Sequence, residues 1–60
     1  GLEVGQLGKT ISELKPVGKA QFGDRQVEVQ SLGGFVDEGV TIRVVRLENT
    51  RIIVDKVAQT

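Results

Sequence analysis

Neither cysteine nor histidine occurs in this sequence, and in a chain of 60 residues that absence constrains how a fold can be held together. No disulfide can staple it, and no ordinary zinc or iron site can organise it. A domain so short buries only about 60% of the surface its unfolded chain exposes. The core must therefore come from secondary structure that leaves little of its apolar surface in water. The residues supplied are those of strands: ten Val, with Ile and Thr raising the β-branched total to eighteen. An open sheet would leave two bare edges and half-covered faces, so the expected solution is a sheet closed on itself.

Helical periodicity is missing. The best stretch, Ile11 to Leu14, is stopped by Pro16 after a single turn. Short β runs separated by turn residues take its place. The first spans roughly Gln6 to Ser12, where Gly8 predicts a bulge or a sharp coil. Lys15-Pro16-Val17-Gly18 reads as a type I turn, with Pro second and Gly fourth. Lys19–Phe22 and Arg25–Gln30 then form a hairpin around Gly23-Asp24, a pair suited to a primed turn. Its register sets Phe22 on Arg25, Ala20 on Val27 and Gly18 on Val29. Ala20, Phe22, Val27 and Val29 share the inner face, and Lys19, Gln21, Gln26, Glu28 and Gln30 the outer one.

Ser31-Leu32-Gly33-Gly34 breaks the pairing, and Phe35-Val36 is expected to plug the core. Asp37-Glu38-Gly39 is a turn with Gly39 at positive φ. Thr41–Arg46 and Thr50–Lys56 make the last hairpin. A two-residue Glu48-Asn49 loop would oppose Arg46 and Arg51, and an Asn49-Thr50 loop would oppose Arg43 and Lys56. Like charges face to face are unfavourable. The expected loop is therefore Leu47-Glu48-Asn49, with Val44 on Ile52, Ile42 on Val54 and Asn49 left-handed.

Five strands in so short a chain predict an all-β, small five-stranded barrel of OB or SH3-like type. The expected core is Ile11, Leu14, Ala20, Phe22, Val27, Val29, Ile42, Val44, Ile52 and Val54. Residues 5–57 form the barrel, with 1–4 and 58–60 as disordered or frayed ends. The chain opens Gly1-Leu2-Glu3 and contains no Met, so a longer parent protein is expected. No apolar run approaches the roughly 20 residues of a membrane span.

The chemistry is sparse. Eight Lys/Arg balance eight Asp/Glu, so the chain lacks the basic field of a nucleic-acid or anionic-membrane binder. Ser12 and Ser31 have no His to activate them, and Gly33-Gly34 opens no helix that could cradle phosphate. Glu28, Glu48 and Asp55 fall on outer faces or tips. No catalytic, metal-binding or cofactor-binding residue is identified, and no cofactor is expected. Base stacking needs exposed aromatics; of the two present, Phe22 belongs to the inner face and Phe35 is expected to be buried. A protein-binding patch is expected instead on the outer face of the last hairpin, from Arg43, Val45, Leu47, Arg51 and Ile53. Apolar residues rimmed by Arg suit a protein interface, whereas the first hairpin's outer face is wholly polar.

The ordered series Gly8-x5-Leu14-x-Pro16-x-Gly18, then Val27-Glu28-Val29-x-Ser31-x-Gly33-Gly34-Phe35-Val36-x-x-Gly39, then Val44-Val45 and Ile52-x-Val54, resembles the C-terminal domain of the NfeD family. The similarity runs from about Gly5 to Val57. Asn49 departs from the family's usual Gly at the tip, and Leu32 from a common acidic residue. The resemblance implies an OB-fold barrel, non-catalytic in itself, at the end of a membrane protein. Its implied partners are stomatin- or flotillin-like (SPFH) membrane proteins; self-association through the patch on the last hairpin is the other expected mode. It further implies a role in regulating membrane protease activity, with a ClpP-like Ser–Lys protease domain upstream in longer members. Gly34-Phe35-Val36-x-x-Gly39-x-x-Ile42 also resembles a turn pattern of biotinyl and lipoyl carrier domains. Those present a modifiable Lys at a hairpin tip, and neither tip here has one. An OB-fold nucleic-acid module and a carrier domain are thus the alternatives to a protein adaptor.

Overall fold

The structure, a computed structural model, describes residues 1–57. The frayed end expected at 58–60 lies outside the described residues. Five strands follow one another: β1 (Leu7–Thr10), β2 (Val17–Phe22), β3 (Arg25–Ser31), β4 (Thr41–Leu47) and β5 (Ile52–Lys56). They close into a barrel in the order β1-β2-β3-β5-β4, with β1 returning to β4. All neighbours are antiparallel except β3 and β5, which run parallel. This is a small OB-fold-like barrel, and closure removes most of the free edge that an open sheet of this size would expose.

The first hairpin has the register expected of a Gly23-Asp24 loop. Phe22 faces Arg25, Ala20 faces Val27 and Gly18 faces Val29. Gly23 sits at φ 61° while no described non-Gly residue has positive φ, which is the type II′ pattern. The strand is longer than the turn residues indicated, however. Val17 and Gly18 already belong to β2, so Lys15–Gly18 is not a type I turn, and the Lys15–Pro16 bond is cis. Val17 consequently stands on the outer face opposite Gln30, where it is exposed.

Two glycines owe their identity to close packing. Gly8 lies in an unbroken ladder opposite Ile42, with neither bulge nor coil. A Cβ there would meet the Phe22 ring at 2.5 Å and the Gln21 carbonyl oxygen at 2.6 Å. At Gly18 a Cβ would strike the Glu13 carbonyl and approach Leu14 Cδ2 at 2.7 Å. In both places the backbone itself forms part of the wall against which the core is packed.

Leu14, Ala20, Phe22, Val29, Val36, Ile42, Val44 and Val54 form the interior. Val27 and Ile52 are only partly buried against this cluster, as are Leu2 and Val40. Ile11, expected inside, is half-buried because β1 ends at Thr10 and the chain turns away there. Val36 does plug the barrel: it bridges Leu14 with backbone bonds in both directions, at 2.8 and 3.0 Å. Phe35 does not, since alternation along this extended segment turns it outward; it is 51% exposed.

The segment between β3 and β4 is held by Thr10, which is 1% exposed. Its hydroxyl donates to the Asp37 carbonyl at 2.7 Å and accepts from the Val40 N–H at 2.9 Å. Its backbone N–H donates to the Val40 carbonyl at 3.0 Å, and its carbonyl accepts from Gly39 N–H at 2.9 Å. Gly39, at φ 80°, makes the turn expected of it.

Replacing Thr10 with isosteric Val removes the partner of the Asp37 carbonyl and of the Val40 N–H, both in part-buried bonds, and should cost about 1–2 kcal/mol. Val44→Ala should cost a similar amount, about 1–3 kcal/mol, through lost burial and a cavity. Urea unfolding followed by circular dichroism measures both. A Thr10→Val protein as stable as wild type would contradict the role given to the hydroxyl.

Candidate functional site

The last hairpin differs from expectation in a way that rearranges its outer face. Val44 pairs with Val54, Arg43 with Asp55 and Ile42 with Lys56, after which a bulge at Val45 shifts the register to Arg46 on Ile53 and Leu47 on Ile52. The loop is thus Glu48–Arg51, closed by backbone bonds between its ends at 2.9 and 3.4 Å. Asn49 is not left-handed. The principle of avoiding like charges holds, since Arg43 meets Asp55. It is satisfied by an extra residue in β4 rather than by a three-residue loop.

The bulge scatters the five patch residues. Arg43, Leu47 and Arg51 are exposed, Val45 is half-buried and Ile53 is 4% exposed. Ile53 lies outside the interior cluster, between Gln30 on β3 and Arg46 on β4. Its strand is flanked on both sides, so long neighbouring side chains can cover an outward Ile. Val45 sits beside Val44, whose N–H and carbonyl are tied to Gln6 (2.9 Å) and Gly5 (2.7 Å) of the segment leading into β1. That segment brings a residue the sequence reading missed: Leu7, 53% exposed and directly opposite Arg43. Only the β1–β4 pairing, a long-range contact with no local signal, reveals this Leu–Arg neighbourhood.

Elsewhere the exposed apolar residues are Val4, Val17, Leu32 and Phe35. Val17 breaks the expected all-polar face of the first hairpin, so the contrast between the two hairpins is weaker than the sequence implied. Lys15 Nζ lies 5.8 Å from the centroid of the Phe35 ring and 3.3 Å from Glu13 Oε1. With Phe22 inside, Phe35 is the single aromatic open to solvent, short of the successive platforms that base stacking uses.

One groove opens beside the hairpin tip. It holds ≈ 200 Å³ and is lined by Val17, Glu28, Gln30, Thr50, Arg51 and Ile52. Arg51 Nη1 crosses it to donate to Gln30 Oε1 at 3.0 Å. Its volume is below the roughly 300–1,000 Å³ of small-molecule sites.

These placements distinguish two neighbouring apolar residues. Leu47→Ser should leave stability within about 0.5 kcal/mol of wild type. Ile53→Ser should cost on the order of 2 kcal/mol or more, because a hydroxyl replaces buried hydrocarbon. Thermal unfolding of the two variants side by side is the measurement, and equal stabilities would contradict the burial of Ile53.

Known proteins match this barrel along nearly its whole length. The C-terminal domain of stomatin operon partner protein 1510-C from Pyrococcus horikoshii superposes with a TM-score of 0.86, covering 93% of this chain and 89% of that one at 24% identity. At that identity the likeness speaks for the fold. The membrane protein NfeD1b of Bacillus subtilis (strain 168) is 30% identical over 54 residues, or 90% of this chain. The chain spans only 12% of that relative's length. A family model described as the NfeD-like C-terminal, partner-binding domain matches residues 2–56. This chain therefore belongs to the NfeD family, as its C-terminal, partner-binding domain.

Proposed function

We propose that this domain is the non-catalytic docking module of an NfeD-like membrane protein, and that its partner is a stomatin- or flotillin-like (SPFH) membrane protein. The observation that carries the reading is the exposed Leu7–Arg43 pair on neighbouring strands, with Leu47 and Arg51 farther along the same hairpin. Apolar side chains in water beside arginine suit a protein contact. Ile53 is withdrawn from the contacting set by its burial, and Val45 contributes only what its half-exposed side chain offers. The SPFH class is chosen because the Pyrococcus homologue is named as a stomatin operon partner.

A few side chains make a patch well below the roughly 800 Å² per partner of a standard interface, so the isolated domain should bind weakly. NfeD1b is a membrane protein, whereas no helix among the described residues is long and apolar enough to cross a membrane. Anchoring by segments elsewhere in the parent would raise the effective concentration of domain and partner, so that weak contacts suffice. In this reading the domain serves the regulation of membrane protease activity by positioning proteins, and any ClpP-like protease domain lies upstream of it.

The test is binding of the chain to an SPFH protein held in nanodiscs, by biolayer interferometry. Arg43→Glu with Leu47→Ser should weaken it at least about tenfold while leaving the unfolding curve near wild type. Unchanged binding would remove this face from the interface, and no binding by wild type would remove the partner class. Oligonucleotides titrated at low salt should show no salt-sensitive micromolar binding; if they do, the nucleic-acid alternative takes precedence.

A further inference from the structure

β3 is seven residues long, yet only Gln30 and Ser31 pair with β5. On that side Arg25 to Val29 have no strand beside them, although the barrel is closed. The direction of the backbone groups follows from observed bonds. Ser31 N–H donates toward β2, to the Pro16 carbonyl at 2.7 Å, and Leu32 N–H donates toward β5, to the Val54 carbonyl at 2.8 Å. Alternation then directs the N–H and C=O of even-numbered Gln26 and Glu28 away from β2 and into the opening. No backbone bond outside the ladders uses these groups. The opening is the groove beside Thr50, Arg51 and Ile52, floored by Glu28 and Gln30.

We propose that this free edge of β3 is a site for strand addition, and that its occupant is an extended, acidic peptide segment of a partner protein. Unpaired donors and acceptors at every second residue are matched by one chemistry, that of another extended backbone. Two of the usual protections of an edge are missing, since β3 contains no Pro and pairs with β2 without a bulge. The preference for acidic residues comes from charge. The ion pairs among the described residues are Glu13–Lys15 and Arg46–Glu48, so Arg25 and Arg51, at the two ends of the opening, have no carboxylate partner. Arg51 and Glu28 are the charges that line the groove itself, and Arg25 stands beyond its lining at the start of β3. The proposal rests on the docking reading above, and adds how one segment of a partner would be held.

The experiment records amide spectra of the isotopically labelled 60-residue chain during titration with a short, capped peptide that alternates Val and Glu. Expected are shifts of the Gln26 and Glu28 amides and slower hydrogen exchange at both. N-methylation of alternate peptide residues should abolish them, and Lys in place of Glu should weaken binding several-fold. Glu28→Pro removes the N–H that faces the groove without removing a bond to β2, and should also abolish binding. The N-methylated peptide tests the same point should that variant not fold. The proposal is overturned if the two amides do not respond at millimolar peptide, or if N-methylation makes no difference. Protection that rises with protein concentration alone would also overturn it, by giving the edge to a second copy. An SPFH partner that binds wild type and Glu28→Pro equally well would refute the edge and leave the docking reading standing. Peptide binding without SPFH binding would do the reverse.

Discussion

The side chain on which most of this barrel depends is the hydroxyl of Thr10. It is small enough to sit at full burial at the end of β1 and polar enough to satisfy a donor and an acceptor at once. Those two groups belong to the segment that leaves β3, crosses one end of the barrel and enters β4. Holding that segment presses Val36 onto Leu14 and fixes where β4 begins, which in turn decides which residues of β4 meet β1. Burying a polar group is unfavourable unless its bonding is complete. Here it is complete, and no buried side-chain nitrogen or oxygen lacks a partner among the described residues.

What could be read in the sequence and what could not divides along the range of the interactions. The first hairpin was legible because a two-residue Gly23-Asp24 loop and a period-two pattern dictate the same register. The last was not, because the three loops weighed had two or three residues and the real one, Glu48–Arg51, has four. The bulge at Val45 adds a residue to one strand, and no residue type announces it. Ile53 still faces outward as expected, yet it is buried between Gln30 of β3 and Arg46 of β4, while inward Ile52 near the open end is only partly buried. Gly8 suggests a bulge or sharp coil in the sequence alone, since the Phe22 ring that excludes a side chain there is supplied by another strand. Phe35 is as hydrophobic as a core residue, but alternation turns it outward because Val36 next to it takes the inward position.

The surface that remains is sparing in its chemistry. Charges are balanced, the ion pairs among the described residues are exposed, and the groove beside the hairpin tip is too small for most metabolites. The family match is to a partner-binding domain, and the chain spans 12% of a longer membrane relative.

The parallel pairing of β3 with β5 has a consequence for motion. Every other junction of the ring is an antiparallel ladder of two or more pairs, and the short β1–β2 and β1–β4 ladders are reinforced by bonds from Ile11 to Lys19 and from Gly5 and Gln6 to Val44. Parallel pairs are slightly less stable per residue, and here two of them, with one further bond from Leu32, close the circle. A ring under thermal agitation parts first at its weakest joint. Brief opening of this clasp would spread β3 from β5 while both hairpins stay folded. The barrel is therefore better pictured as two rigid leaves sharing a spine at β1 than as a uniformly stiff cylinder.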